Sequence, residues 1–247
     1  MSEEVRNQVG ERLKSWHGED WHTPKGRIIR DIVYAIDTGL VSTVSFLAGM
    51  SAFLITRERI ILASLIQIAA GTMAIFFGSY ISTKAQKHFF ESQIEREKRE
   101  IEEDPERETG EIREIFGDMG FTKEEQEIAV KRITANKTRW LSFMVQEEIG
   151  ISANMIDNPF EIGIVSAASF LLGALPAIAP FFIVNSVNSA LGISAISVLS
   201  FLFLLGIIKT RFTKLHWLSS ALETLLIGSI SCGAGFFLGK FASAYFR

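Results

Sequence analysis

Glutamates crowd one stretch of this chain. Between Glu91 and Glu114 there are eleven acids and five bases. Glu97 and Glu100 stand three apart, and Glu108 and Glu111 repeat that spacing beyond Asp104-Pro105. Residues at i and i+3 share a helix face, so a helical hairpin broken at Pro105 can point both pairs into one space. Met144 and Glu148, four apart, could close that space from another side. Clustered carboxylates repel unless a cation sits among them, and oxygen ligands suit Fe²⁺, Mn²⁺, Mg²⁺ or Ca²⁺. A thioether beside them tilts the choice toward a transition metal. Interleaved charges, such as Glu95 with Arg99, also stabilise a helix that holds no ion. On spacing alone, a solvated stalk remains the alternative.

Two further acids lie in apolar surroundings. Asp37 interrupts the run 32–55, and Glu223 lies within 215–239. An ionised carboxylate at the centre of a bilayer costs about 2.5 kcal/mol or more. Such residues face a cavity, a partner or a pathway, or they sit protonated and hydrogen-bonded between helices.

These groups need elements to hold them. The chain has 247 residues, 48% hydrophobic and 21% charged, with positive mean hydropathy. That mix is segregated into apolar runs for lipid and charged runs for water. About twenty apolar residues cross a bilayer core. The runs 32–55, 60–83 and 215–239 each supply one crossing, and the uncharged run 162–208 supplies two, folded back near 185–188. No glycine or proline interrupts 84–104, so the second span should continue as one helix out of the membrane into the glutamates. Further helices are expected at 106–117, 122–135 and 137–150, with Thr122 and Glu125 as a capping box. The segment 209–214 reads as a short basic loop.

The fold class expected is an all-α membrane protein. It has five transmembrane helices and a cytoplasmic helical metal-binding domain inserted between the second and third. Its divisions are a polar, amphipathic segment (1–26), spans one and two (27–83), the helical domain (84–157) and spans three to five (158–247). Val5, Val9, Leu13 and Trp16 share one face of the first segment, which suits the membrane surface. Short-loop Lys and Arg are in excess on the side holding Lys25, Arg27, Arg30, Lys84 and Lys87. That places the N-terminus and the acidic block in the cytoplasm, with the cell membrane as the expected location. A net charge of −3 argues for no nucleic-acid partner. The lone Cys232 permits no disulfide framework and no thiolate cluster. No nucleophile–base pair or open zinc motif marks an enzyme, and no prosthetic group is expected.

The order of motifs has a likeness. Arg30-Asp31-Ile32 leads to Gly39 in the first span, and Gly71, Gly78-Ser79-Tyr80 and Lys84 mark the second. The acidic helix, Trp140 to Met144 with Glu148, and Gly173-Ala174-Leu175 with Pro180 follow. From about residue 27 to 240 this resembles the vacuolar iron transporter family, which includes the yeast cross-complementer-of-calcium-sensitivity proteins.

The resemblance implies a homodimer that moves Fe²⁺, and often Mn²⁺, out of the cytosol through a path between subunits. It also implies a cytoplasmic domain that collects the ion, with Glu97, Glu100, Glu108, Glu111, Met144 and Glu148 on ligand positions. Val145 stands where a further Glu is expected. In the first span the family has Asp directly before Gly. Here Thr38 precedes Gly39 and the acid is Asp37, about 100° around the helix. The pore methionine of the second span is matched by Ile75. Asp37, Thr38, Ile75 and Glu223 are therefore the transport-pathway candidates. The expected function is a Fe²⁺ or Mn²⁺ transporter exporting from the cytoplasm, with proton exchange as its coupling, since protonated carboxylates release metal. The alternative is a membrane-anchored metal-binding or sensing protein without transport.

Overall fold

The computed structural model describes residues 25–51, 56–150, 156–213 and 216–245. The amphipathic segment expected near the N-terminus lies outside them. The described residues form eight helices: α1 (Lys25–Ser51), α2 (Arg57–Glu103), α3 (Pro105–Asp118), α4 (Lys123–Thr134), α5 (Lys137–Glu147), α6 (Pro159–Ile183), α7 (Val187–Thr213) and α8 (Trp217–Tyr245). Five of them, α1, α2, α6, α7 and α8, are long and apolar enough to cross a membrane.

The second span does continue without a break. α2 runs for 47 residues, about 70 Å at 1.5 Å per residue. It stops at Glu103 because Pro105 has no N–H to extend the ladder and disfavours helical geometry at Asp104. Asp104 then caps the next helix, accepting from the Arg107 N–H at 3.3 Å, with Pro105 in the first turn of α3. Thr122 and Glu125 form the expected capping box on α4. Asn136 accepts from the Arg139 N–H at 3.0 Å to start α5. The short helices thus begin where the sequence offers an acceptor for otherwise unpaired N–H groups.

One boundary departs from expectation. Residues 209–213 are not a free basic loop, because α7 continues to Thr213. The turn between α6 and α7 falls at 184–186, close to the expected fold-back.

α1 is the centre of the apolar bundle, touching α2, α6, α7 and α8. Leu40, Val44 and Leu47 of α1 pack with Ala177 and Phe181 of α6, Val198 and Leu202 of α7, and Ile60 of α2. α1 and α6 cross at glycines. A Cβ on Gly39 would strike the Phe170 carbonyl, and one on Gly173 would strike the Ile36 carbonyl. Hydrocarbon gives no solvophobic drive between helices, so such close backbone contact is what small residues are for. Half of the apolar window of α6 is buried but only 17% of that of α2, which leaves α2 at the edge of the bundle.

At the end of α2 nearest α1's C-terminus, Arg57 reaches across to α6. Its Nε donates to the Phe181 carbonyl at 2.7 Å and its Nη2 to the Phe182 carbonyl at 2.9 Å. Its Nη1 donates to the Asn185 side chain at 2.6 Å. The last carbonyls of a helix lack intrahelical donors and carry partial negative charge, so one guanidinium closes the end of α6.

Candidate metal centre

The far end of α2 is where the acids gather. Ile101 of α2, Ile112 of α3, Val130 of α4, and Trp140 and Met144 of α5 form one apolar cluster. This small core folds α3 back beside α2 and lays α5 across both. Ile101 follows Glu97 by four residues and Ile112 follows Glu108 by four. Docking the isoleucines therefore draws the two glutamates inward on the same faces.

Glu97 and Glu108 are almost fully buried, at 2% and 1% exposure. One carboxylate oxygen from each of Glu97, Glu108 and Glu148 lies within 4.8 Å of the others. Among the described residues no other group of three Asp, Glu, His or Cys side chains comes together in this way. Glu97 Oε1 and Glu108 Oε2 are buried with no protein partner. Met144 is fully buried one turn before Glu148, which closes α5 by donating its N–H to the Met144 carbonyl at 2.9 Å.

The electrostatics follow from burial and crowding. Burial first, then the charges of Glu148 and Glu108, push the Glu97 carboxyl up to about 8. Glu108 is also raised, by burial and then by Glu111, while a hydrogen bond from Glu97 works the other way. Glu148 is raised by burial, then by Glu111 and Glu108. Three carboxylates held this close, with two buried oxygens unbonded, form an acceptor-only cage that protons or a cation must neutralise. All-oxygen donors with a neighbouring thioether suit a divalent cation such as Fe²⁺ or Mn²⁺.

Glu100 and Glu111 stand one step outside. Arg96 Nε donates to Glu100 at 3.0 Å and Arg107 Nε donates to Glu111 at 3.1 Å. Of the six residues singled out in this region, the structure brings carboxylate oxygens of Glu97, Glu108 and Glu148 together, pairs Glu100 and Glu111 with arginines, and packs Met144 into the apolar cluster, a division the spacing did not distinguish. The arginines were legible as i,i+4 partners and were not singled out. Glu95, expected to pair with Arg99, instead meets Lys98 at 3.9 Å.

The membrane candidates are not gathered in this way. Asp37 is half-buried on α1. The Thr38 hydroxyl donates back to the Tyr34 carbonyl at 2.7 Å, satisfied within its own helix. Ile75 packs against the cluster of Ala35, Ile68, Phe170, Ala174 and Ile178. Glu223 is exposed on α8, next to Thr224, whose hydroxyl accepts from Lys209 at 3.4 Å. A cavity of about 390 Å³ opens between α1, α2 and the start of α6. It is lined by Asp31, Tyr34, Ile75, Ser79, Ser82 and Gln86 among others. It lies at the base of the α2 stalk, so of the four candidates only Ile75 borders it.

Comparison with known proteins adds a family. The model of the VIT family matches residues 29–240. Vacuolar iron transporter 1 of Arabidopsis thaliana is 29% identical over 224 residues, 91% of this chain and 90% of its own length. Vacuolar iron transporter 2 of Oryza sativa subsp. japonica is 27% identical over 240 residues, 97% of this chain and 98% of its own. The vacuolar iron transporter of Plasmodium falciparum is 28% identical over 232 residues, 90% of this chain and 85% of its own. These are names of transporters and not of enzymes.

Proposed function

The chain belongs to the VIT family, and from that premise we propose that it carries Fe²⁺, and Mn²⁺ with it, across a membrane and out of the cytoplasm. The observation that carries the reading is the cage of Glu97, Glu108 and Glu148 at the end of the α2 stalk. A divalent cation supplies the positive charge that these carboxylates lack. Glu100, Glu111 and Met144 complete the set in this proposal, as further oxygen ligands and a soft neighbour. Relatives named as iron transporters support the choice of ion.

In this reading residues 84–157 are a cytoplasmic domain that collects the ion, and the cavity beside Ile75 and Ser79 receives it from the stalk. Carboxylates whose proton affinity is raised exchange a proton for each metal they take, which makes proton exchange the natural coupling. Asp37 and Glu223 are the membrane acids proposed to carry that exchange. A homodimer is part of the proposal: among the described residues, the spans of one chain bring no three Asp, Glu, His or Cys side chains together. The relatives' names place them in vacuoles. The transport reading requires only a membrane with residues 84–157 on its cytosolic side, and the cell membrane is the location proposed for this chain.

A second reading has its own support. Thr38 is bonded to its own helix and Ile75 is packed in an apolar cluster, so the spans offer fewer ligands than the stalk. A membrane-anchored metal sensor would bind the ion without passing it. Uptake of Fe²⁺, Mn²⁺, Zn²⁺ and Ca²⁺ into liposomes holding the full chain, with and without a pH gradient, separates the two. Saturable Fe²⁺ or Mn²⁺ flux supports transport, and binding without flux supports the sensor.

A further inference from the structure

The metal cage is built from one short pattern used twice. Arg96-Glu97-x-x-Glu100 lies on α2 and Arg107-Glu108-x-x-Glu111 on α3. In both copies the first glutamate is buried and keeps an oxygen without a protein partner. In both copies the second glutamate is half-exposed and held by the arginine four residues before it, at 3.0 Å and 3.1 Å. The two arginines themselves are mostly exposed, at 62% and 65% of their side chains. The charge of Arg96 also acts on Glu97 and Glu148, and that of Arg107 on Glu108.

We propose that Arg96 and Arg107 are built-in competitors for the cation, each holding one glutamate of its pair off the ion. The inference rests on the metal reading of the same cluster. A first ion takes Glu97, Glu108 and Glu148 without displacing either guanidinium. Glu100 and Glu111 become ligands only when an incoming cation drives their arginines into water. Exposed ion pairs are weak and screened, so that displacement is easy and reversible. A carrier has to release what it collects, and binding must be strong enough to load but weak enough to leave. The arginines supply that limit at the ligands themselves. They are positioning residues, since neither touches the ion.

The test is Mn²⁺ binding by isothermal titration to the full-length detergent-solubilised protein at one fixed pH and ionic strength. Arg96→Gln with Arg107→Gln frees both outer carboxylates. Tightening of about three-fold per arginine is expected, with more Mn²⁺ bound per chain. Arg96→Lys with Arg107→Lys keeps the charges and is expected to stay nearer to wild type than the glutamine pair. Adding Glu100→Gln and Glu111→Gln to the double glutamine variant is expected to remove the gain. Both arginines are exposed, so metal-free melting temperatures should match. Should one variant fail to fold, the single Arg107→Gln chain carries the same comparison. Unchanged affinity and stoichiometry in the glutamine variants would overturn the inference while leaving the metal site standing. A gain that survives loss of Glu100 and Glu111 would also overturn it, since it would then come from general charge. A wild-type chain that binds no Mn²⁺ removes the metal reading and this inference together.

Discussion

A carboxylate oxygen of Glu97 on α2 lies within 4.8 Å of one of Glu108 on α3. Each is nearly fully buried and each keeps one oxygen without a protein partner. Two buried acids this close share protons because both cannot ionise cheaply in a low dielectric. Replacing such a proton by a divalent ion is the chemical step on which the proposed function depends.

Metal binding should therefore strengthen with pH. Glu97 is held at about 8, above its ordinary value of 4.5. A raised folded value stabilises the metal-free fold fully below 4.5, and that contribution is lost as pH rises through about 8. A bound cation requires the ionised form, so it restores what high pH removes. The rise in melting temperature on adding Mn²⁺ should be larger at pH 8.5 than at pH 6, with protons released on binding. An equal rise at both pH values would contradict the shared-proton picture.

Glu97→Gln and Glu108→Gln test the same pair without changing pH. Glutamine keeps the shape of the protonated acid but cannot ionise. Each variant should lose at least about ten-fold in Mn²⁺ affinity by titration, a difference of about 1.4 kcal/mol. Without metal each should melt no lower than wild type above pH 8, since the repulsion is gone. Affinity unchanged in both would place the ion elsewhere.

Met144 separates packing from ligation. It is fully buried against Ile101, Ile112, Val130 and Trp140. Met144→Ala should cost about 2–5 kcal/mol of stability, read from denaturant unfolding of the metal-free protein. Met144→Leu conserves volume and should cost less than about 1.5 kcal/mol. If the thioether acts on the ion, the leucine variant should also favour Fe²⁺ less over Ca²⁺ in competition. Unaltered selectivity would leave Met144 a packing residue.

Glycine contacts within the bundle give a test independent of metal. Gly173→Ala pushes a methyl into the Ile36 carbonyl, and overpacking of this kind costs about 1–3 kcal/mol. Gly78→Ala meets nothing within 4 Å and should leave the protein as stable or up to about 1 kcal/mol more so. Melting temperatures in detergent should fall for the first and not for the second.

Much of this architecture is legible in residue order. The unbroken α2 follows from the absence of glycine and proline between Lys84 and Asp104, and its end follows from Pro105. Thr122 and Glu125 announce their capping box because that motif is local. Spacing puts Glu97 with Glu100 and Glu108 with Glu111 on shared helix faces, but it cannot rank them. Glu97 and Glu100 share a face by periodicity, and only the docking of Ile101 and Ile112 decides which is buried and which meets an arginine. Residues 209–213 were misread because their charges suggested a loop, whereas basic residues are also at home in a helix that leaves the bilayer. Glu223 is exposed on α8 of the single chain, and an apolar run alone does not decide which neighbour such an acid meets.

The central claim is that metal bound at the stalk goes on to cross the membrane. Fe²⁺ uptake into proteoliposomes, measured side by side for wild type and Glu97→Gln, addresses it most directly. The account predicts saturable Fe²⁺ entry with wild type, and at least several-fold slower entry at low Fe²⁺ with the variant. A wild-type chain that binds Fe²⁺ tightly yet passes none, or a Glu97→Gln variant that transports as fast as wild type, would contradict it.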